Sequence, residues 1–154
     1  AKSWWGSIYY KIILKRHNNI NYYTLLGFDE NNSRSNKKII EVMHFENSQP
    51  IFGGDYFIAG SKDSLYYPKR YIMEYKSGAV PRLNYDEEMG AIVKEHLVSE
   101  NKNPLDKTSM IGSGDYEGFL WQKGNWIFVS EIFGEATREI PVPQPLKESS
   151  QLPE

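Results

Sequence analysis

Hydrophobic and polar residues alternate along much of this chain, with the period of a β-strand. The clearest case is the run KRYIMEYK at residues 69–76, where Tyr71, Met73 and Tyr75 share one side. This alternation predicts a half-buried strand. Residues 4–16, WWGSIYYKIILKR, are dense in aromatic and β-branched side chains and lead into the turn-forming sequence HNNIN. They predict a strand, a turn and a second strand.

Polar loops divide the next part of the chain into short apolar runs. The sequences YYTLLGFD at 22–29 and KKIIEVMHF at 37–45 flank seven polar residues, ENNSRSN, and this pattern predicts another hairpin. Residues 46–64 mix Pro50 and three glycines with short apolar pieces, which predicts short strands joined by turns.

A further hairpin is predicted within residues 114–132, GDYEGFLWQKGNWIFVSEI. Its turn contains Gly124 and Asn125, which tolerate positive φ. On the first strand, alternation places Phe119 and Trp121 on one side and Tyr116 and Leu120 on the other. On the return strand it places Trp126 and Phe128 on one face and Ile127 and Val129 on the other. Both faces are therefore apolar, and we expect the hairpin to be covered on both sides or to form a barrel wall with a filled interior.

One segment fits both a helix and a strand. In residues 86–100, DEEMGAIVKEHLVSE, five side chains fall at helical spacing behind a possible cap at Asp86: Met89, Ile92, Val93, His96 and Leu97. Gly90 disfavours the helix, and the same residues form a strand if DEEMG is a tight turn. We prefer the strand for residues 91–98.

The end of the chain differs in composition from the rest. Four of the eight prolines lie in the last sixteen residues, EIPVPQPLKESSQLPE, which cannot join a sheet interior. Residues 134–154 are therefore predicted to be a disordered tail or an extended arm on another surface. The candidate contact residues of such an arm are Ile140, Pro141, Val142, Pro143, Pro145 and Leu146.

These elements predict one all-β domain over residues 1–133. We expect about nine or ten antiparallel strands in a meander, closed as a barrel or stacked as a sandwich, because most connections are short. A chain of 154 residues can bury roughly two thirds of its unfolded surface, which supports a single core.

Charge and composition exclude several classes of function. Eighteen Lys and Arg against twenty Asp and Glu form no basic stripe, so nucleic acid is not an expected partner. No apolar run reaches the ~18 residues of a spanning helix. The absence of cysteine excludes disulfides, thiolate zinc sites and cysteine nucleophiles. The first residues, AKSWWGS, contain no initiator Met, and we expect that a signal peptidase removed an upstream segment.

Candidate catalytic and metal-binding patterns are incomplete. Histidines occur at three distant positions without a recognised ligand spacing: His17, His44 and His96. Asp29, Asn31 and Ser33 alternate like the first ligands of a calcium loop, but Arg34 and Ile40 stand where that loop needs Gly and Glu. Many carboxylates could pair for glycoside hydrolysis, and none is singled out: Asp86, Glu87, Glu88, Glu95, Asp115 and Glu117. We therefore predict no catalytic residue, metal or cofactor.

Aromatic residues are the remaining candidates for binding. They reach 14% of the chain and often occur as adjacent pairs, so in a strand one ring of each pair points inward and the other outward. Outward rings gathered together would form a platform for sugar or peptide. The candidate platform residues are Trp4, Trp5, Tyr66, Tyr67, Trp121 and Trp126.

Five blocks of the sequence, in this order, resemble a group of uncharacterised secreted or periplasmic β-rich proteins of Bacteroidota. They are WWGSIYYKI, YYTLLGFDENNSRSNKKIIEVMHF, PIFGGDYF, RYIMEYKSGAVPRLNYDEEMGAIVKEHL and GDYEGFLWQKGNWIFVSEI, within residues 4–132. The resemblance implies export to the periplasm or beyond and a strand at residues 91–98. It implies no activity and no catalytic residues.

Two hypotheses of function follow. The first is a non-catalytic interaction module of the cell envelope, an accessory subunit that docks on a larger protein assembly through exposed rings and the Pro-rich arm. The second is a ligand-handling β domain, with a glycan-binding face or a lipocalin-like cavity and glycan hydrolysis as its enzymatic extreme. A protein partner is expected under the first and a glycan is possible under the second.

Overall fold

A computed structural model describes residues 6–61, 64–66 and 69–134. Within these ranges the chain forms eleven strands and one short 3-10 helix at Lys107–Ser109. The strands are β1 (Ile8–His17), β2 (Ile20–Asp29), β3 (Ser35–Glu46), β4 (Gln49–Phe52), β5 (Phe57–Ser61), β6 (Ser64–Tyr66), β7 (Tyr71–Lys76), β8 (Leu83–Asp86), β9 (Ala91–Ser99), β10 (Met110–Gln122) and β11 (Asn125–Val129). The all-β prediction is confirmed.

The described strands form two sheets. In the first sheet the order is β1-β2-β3, and the far edge of β3 pairs with β7 along its first half and with β4 along its last residues. The second sheet has the order β6-β5-β11-β10-β9-β8. All pairs are antiparallel except β5 with β11, which run parallel.

The prediction of a simple meander of nine or ten strands is therefore wrong in two details. The described residues contain eleven strands, because the glycine-rich segment after β3 carries three short ones. The order is not sequential, since β7 returns to β3 and β5 lies beside β11. No closed barrel forms among the described strands.

One hydrophobic core joins the two sheets. It receives buried side chains from both: Ile13, Leu26, Ile40, Val42 and Met73 from the first, and Phe57, Leu83, Ile92, Phe119 and Trp126 from the second. Trp126 is 0% exposed, and its Nε1 donates a hydrogen bond to Thr24 Oγ1 of the first sheet at 2.9 Å. The inner faces of the two sheets therefore pack on each other.

The predicted apolar character of both faces of the β10–β11 hairpin is confirmed. Its inner face supplies Phe119 and Trp126 to the shared core. On its outer face lies a smaller cluster, which contains buried and partly buried residues: Ala91, Val93 and Ile132, with Met89, Tyr116, Leu120 and Val129 against them. The segment after β11 thus covers this face through Ile132.

The ambiguous segment is a strand. Residues 91–99 form β9, which pairs with β8 and β10, so the preferred prediction is confirmed and the helix is wrong. Asp86 does act as a cap, but of a tight turn: its Oδ1 accepts a hydrogen bond from Met89 N at 2.9 Å. Gly90 closes that turn with φ +64°, a conformation that a side chain disfavours.

Candidate protein-binding face

The outer face of the first sheet carries a row of apolar side chains across four strands. Leu14 lies opposite Tyr23, Tyr23 opposite Met43, and Met43 opposite Phe52. These four side chains point to the same side, since directly opposed residues in a ladder share a face. The row crosses the sheet from β1 to β4.

Exposed side chains of neighbouring rows border this row. Ile12 lies opposite Leu25, and Ile72 on β7 lies opposite Ile39. Leu25 and Ile39 themselves are buried. Phe45, two residues after Met43 on β3, makes an edge contact with the ring of Tyr23 at 5.9 Å between centroids. We call this surface the apolar face and define it by Ile12, Leu14, Tyr23, Met43, Phe45, Phe52 and Ile72.

Five side chains of the apolar face are strongly exposed. Their exposed fractions lie between 39% and 63%: Ile12, Leu14, Phe45, Phe52 and Ile72. The opposite face of the same strands is already buried in the core. An antiparallel sheet with one solvated face normally alternates apolar and polar residues. The first sheet is instead apolar on both sides, which is typical of a layer that packs against something on each face.

A buried carboxylate lies at the centre of the apolar face. Glu41 is 2% exposed, and its Oε2 accepts a hydrogen bond from Tyr9 Oη at 2.7 Å. Its Oε1 accepts a hydrogen bond from Arg70 Nε at 2.8 Å, and Arg70 also forms an ion pair with it. The charge is therefore compensated within the chain, and the centre of the face carries no net charge.

Tyr9 reaches Glu41 because Gly27 makes room for its ring. Tyr9 and Gly27 are opposite one another in the ladder, and a Cβ at Gly27 would lie 2.9 Å from Tyr9 Cδ1. A side chain at residue 27 would push the ring away. Burial and the hydrogen bond to Glu41 raise the pKa of Tyr9 well above its usual value. The hydroxyl therefore remains a donor at neutral pH.

Polar residues border the apolar face at both ends of the strands. At one end Asp29, Lys37 and Glu74 lie opposite one another across β2, β3 and β7. Glu74 Oε1 accepts hydrogen bonds there from Ser35 Oγ at 2.6 Å and Asn31 Nδ2 at 3.1 Å. At the other end Arg16 lies on β1. An apolar centre with a polar rim is the usual layout of a protein interface.

An aromatic cluster lies at one end of the core shared by the sheets. Tyr22 contacts His44, Tyr56 and Trp121 with centroid distances of 5.8, 5.4 and 5.9 Å. His44 Nδ1 is 3.1 Å from Tyr56 Oη. Burial, followed by the nearby Tyr22, raises the pKa of Tyr56. The Tyr56 phenol is therefore protonated at neutral pH.

A cleft of about 670 Å³ lies beside β10 and the segment after β11. Tyr116 and Phe133 form one wall, with their rings in edge contact at 5.6 Å. Glu117 lines it too, but this carboxylate forms an ion pair with the buried Lys94 and lies 3.1 Å from His96 Nδ1. Asp115 contributes an exposed carboxylate. The cleft is thus partly aromatic and partly acidic.

Of the predicted platform residues, the structure describes the side chains of Trp121 and Trp126. Trp121 is half-buried and packs against Trp126 at 5.2 Å. Trp126 itself is fully buried, so its assignment to an exposed platform is wrong. Strand alternation places Trp126 and Phe128 on one face of β11, and this face is the core side. Trp4, Trp5 and Tyr67 lie outside the described residues, and of Tyr66 only the backbone, in β6, is described.

The predicted arm also lies outside the described residues, which end at Gly134. This applies to Ile140, Pro141, Val142, Pro143, Pro145 and Leu146. The residues that sequence analysis missed are those of the apolar face. Their signal in the sequence is the run YYKIILKR, in which alternation places Tyr10, Ile12 and Leu14 on one side of the strand. Locating the surface, however, requires the register of β1 to β4.

No protein-family model, curated protein or solved structure matches the chain. The resemblance to Bacteroidota envelope proteins stays a prediction. Among the described residues no group of three or more potential metal ligands comes together. None of the helical structure in these ranges is long and apolar enough to cross a lipid bilayer.

Proposed function

We propose that the chain is a non-catalytic protein-binding module of the cell envelope, an accessory subunit that docks on a larger assembly through its apolar face. The occupant of this face is another folded protein that presents a flat apolar surface. In this proposal the two packed sheets are a sandwich, whose first sheet becomes an inner layer when the partner covers it.

The observation that carries the proposal is the exposure of five large apolar side chains on a sheet whose other face is already core. Single exposed apolar residues are normal on a protein surface, whereas a contiguous group with a polar rim is typical of an interaction site. The ladder register places the exposed Leu14 and Phe52 at the two ends of one row, joined by the half-buried Tyr23 and Met43. Ile72 is separated from this row by Ile39 and Glu41, which are buried.

The central ion pair favours docking. Burying a charge at an interface is costly when that charge must lose its water. Glu41 is already buried in the free chain and already bonded to Tyr9 and Arg70. Covering it with a partner therefore adds little desolvation of the carboxylate, and an apolar partner surface needs no countercharge.

The envelope location rests on the sequence resemblance and is part of the proposal. The Pro-rich arm would extend the contact, because a proline-rich segment loses little conformational entropy when it binds in an extended form. Residues 140–146 supply alternating apolar side chains and prolines for such a contact.

The absence of cysteine allows a direct test of the apolar face. A single cysteine at Ile12→Cys labels the face, and one at Val80→Cys labels an apolar position elsewhere that is 85% exposed. In the native envelope of the source organism we expect a maleimide to modify Ile12→Cys at least ~10-fold more slowly than Val80→Cys, because a partner excludes the reagent.

Equal labelling rates at the two cysteines in the envelope would contradict the proposal. The comparison is made within one sample, so differences in reagent access to the envelope cancel. A second variant, Leu14→Cys, tests the neighbouring row and should be protected together with Ile12→Cys.

Ligand handling is the second candidate, and the cleft beside β10 favours its saccharide-binding form. Tyr116 and Phe133 offer ring surface, and Asp115 offers a carboxylate for sugar hydroxyls. The lipocalin-like form needs a closed barrel, which the described strands do not form. Calorimetric titration with a saccharide panel should give binding that Phe133→Ala abolishes. Absence of heat across the panel would contradict this candidate.

A further inference from the structure

Lys94 and Glu117 form a buried pair of opposite charge on neighbouring strands. They lie directly opposite one another in the ladder of β9 and β10, and their side chains are 3% and 13% exposed. We propose that this pair condenses to an intramolecular amide, an isopeptide bond between Lys94 Nζ and Glu117 Cδ, with release of one water molecule. The inference concerns a modification of the chain itself and does not rest on the proposed function.

The hydrogen-bond partners of Lys94 favour the amide over a lasting ion pair. An ammonium group carries three N–H donors. Within the described residues Lys94 Nζ contacts one acceptor, Glu117 Oε1, and lies 5.3 Å from the centre of the Tyr71 ring. A buried charge with unused donors is costly, because no water replaces the missing bonds. An amide nitrogen is neutral and carries a single N–H, so condensation removes this cost.

Exclusion of water distinguishes this pair from the other lysine–carboxylate pairs in the described part of the chain. Lys11 with Glu87 and Lys76 with Glu100 pair at the surface, and 35% or more of each of these side chains is exposed. The Lys94 side chain instead faces β7 of the other sheet. Water is the product of the condensation and the reagent of its reversal, so a dry site favours the amide.

His96 is placed to move a proton during the condensation. Its Nδ1 lies 3.1 Å from Glu117 Oε2, and because a carboxylate oxygen only accepts, Nδ1 carries the hydrogen. The His96 ring is half exposed and lines the same cleft as Glu117, so the released water has a way out. Two charged groups held in contact also avoid the entropy cost of bringing reactants together.

The atoms of the step balance without any further reagent. The nitrogen lone pair of Lys94 forms the bond to Glu117 Cδ, and the Cδ–Oε2 bond breaks with its electrons on oxygen. Oε2 leaves as water with two of the three ammonium hydrogens. One is transferred within the pair, and the other passes through His96 Nδ1, which donates its own hydrogen and is reprotonated from the nitrogen. The third stays as the amide N–H, and the two opposite charges cancel.

The bond lies beside an irregularity of the sheet. The ladder of β9 and β10 shifts register between Gly112 and Tyr116, immediately before Glu117. A covalent link at this point holds the two strands together where the ladder is interrupted. Because the chain has no cysteine, disulfides cannot provide such a link.

The first test is the mass of the intact full chain, purified in the folded state and then denatured. We expect a mass below that of the sequence by one water molecule. Lys94→Met removes the nucleophile and keeps a long side chain, and it should have the full mass of its sequence. Lys76→Met removes the lysine of an exposed pair and should keep the deficit.

The second test locates the bond by digestion with trypsin, which cuts after lysine and arginine. Without the bond the chain gives separate linear peptides of residues 83–94 and 108–123. An acylated Lys94 is not cut, so the bond gives residues 83–102 joined to residues 108–123. Fragmentation of this branched peptide should place the link at Lys94 and Glu117.

The role of His96 is tested by rate. The mass of refolded chain, followed over time, gives the rate of condensation, and His96→Ala should slow it at least ~100-fold. Circular dichroism shows that each variant is folded. A rate in His96→Ala equal to that of the parent chain overturns the proton transfer by His96. A folded parent chain that keeps its full mass after prolonged incubation, or a deficit located at other residues, overturns the isopeptide bond.

Discussion

Tyr9 is the residue on which the centre of the apolar face depends. Its hydroxyl donates to a carboxylate that is almost completely buried, and its ring lies over Gly27. Tyr9→Phe keeps the ring and removes only the hydrogen bond. We expect the free energy of unfolding to fall by about 2 kcal/mol, since a buried charged acceptor loses a donor.

Urea denaturation at pH 7 measures this loss. Tyr23→Phe is the matched control, because it removes a hydroxyl from the same face without touching Glu41. Equal stabilities of Tyr9→Phe and Tyr23→Phe would show that the Tyr9 hydroxyl contributes nothing to holding Glu41.

Two tyrosines also predict how stability depends on alkaline pH. Burial, with a smaller effect of Tyr75, raises the pKa of Tyr10 from 10.0 to about 12, and the pKa of Tyr9 is raised further. In the folded state both phenols stay protonated where an unfolded tyrosine ionises. The stability that they contribute is therefore complete below pH 10 and is lost as the pH rises from 10 towards 12.

Urea midpoints at pH 8, 9, 10 and 11 test this dependence. We expect a constant midpoint up to about pH 9.5 and a decline above it. Tyr10→Phe should decline less steeply, because one of the tyrosines with a raised pKa is gone. A midpoint that is the same at pH 9 and pH 11 would contradict the assignment.

At the scale of elements, the pairing of β9 with β10 depends on Gly118. This residue lies opposite Val93, and a Cβ there would come within 2.1 Å of the backbone oxygen of Ile92. Backbone cannot yield as a flexible side chain does, so Gly118→Ala should separate the strands. We expect a loss of at least about 2 kcal/mol in the free energy of unfolding.

Thermal and urea unfolding compare Gly118→Ala with Ser130→Ala, an exposed position just after β11. The control should stay within about 0.5 kcal/mol of the parent chain. If Gly118→Ala were as stable as the control, the close approach of β9 and β10 at this position would be wrong.

Elements were predictable from the sequence where the evidence is local. The alternation in β7 and in the β10–β11 hairpin, and the turn before β9, lie within a few residues, and all three predictions are confirmed. The return of β7 to β3 and the parallel pair of β5 and β11 involve residues far apart in sequence. Periodicity does not encode such pairings, so the order of strands was predicted only in part.

The same limit applies to the site. Alternation grouped Phe119 with Trp121 and Trp126 with Phe128, but it could not tell whether those faces were covered. The apolar face was missed because Leu14, Met43 and Phe52 are unremarkable in their own strands. They become a surface only when the register of four strands brings them into one row.

At the scale of the whole molecule, the two sheets are joined by one buried hydrogen bond as well as by apolar packing. Trp126 Nε1 donates to Thr24 Oγ1 at 2.9 Å, across a sequence separation of 102 residues. Both residues are fully buried. Thr24→Val keeps the shape of the side chain but leaves the indole N–H without its acceptor, which should cost about 1–3 kcal/mol. Trp126→Phe removes the donor and leaves a cavity, and should cost about 3 kcal/mol.

The double variant separates the hydrogen bond from the packing. Once Trp126→Phe has removed the donor, Thr24→Val no longer leaves a buried group unpaired. The double variant should therefore be more stable than the sum of the single losses predicts, by about 1 kcal/mol. In the matched control, Trp121→Phe takes the place of Trp126→Phe. Trp121 is half-buried at the end of the same core, and its loss of stability should add to that of Thr24→Val. Additivity for the pair of Trp126 and Thr24 as well would mean that their hydrogen bond contributes nothing to the free energy of unfolding.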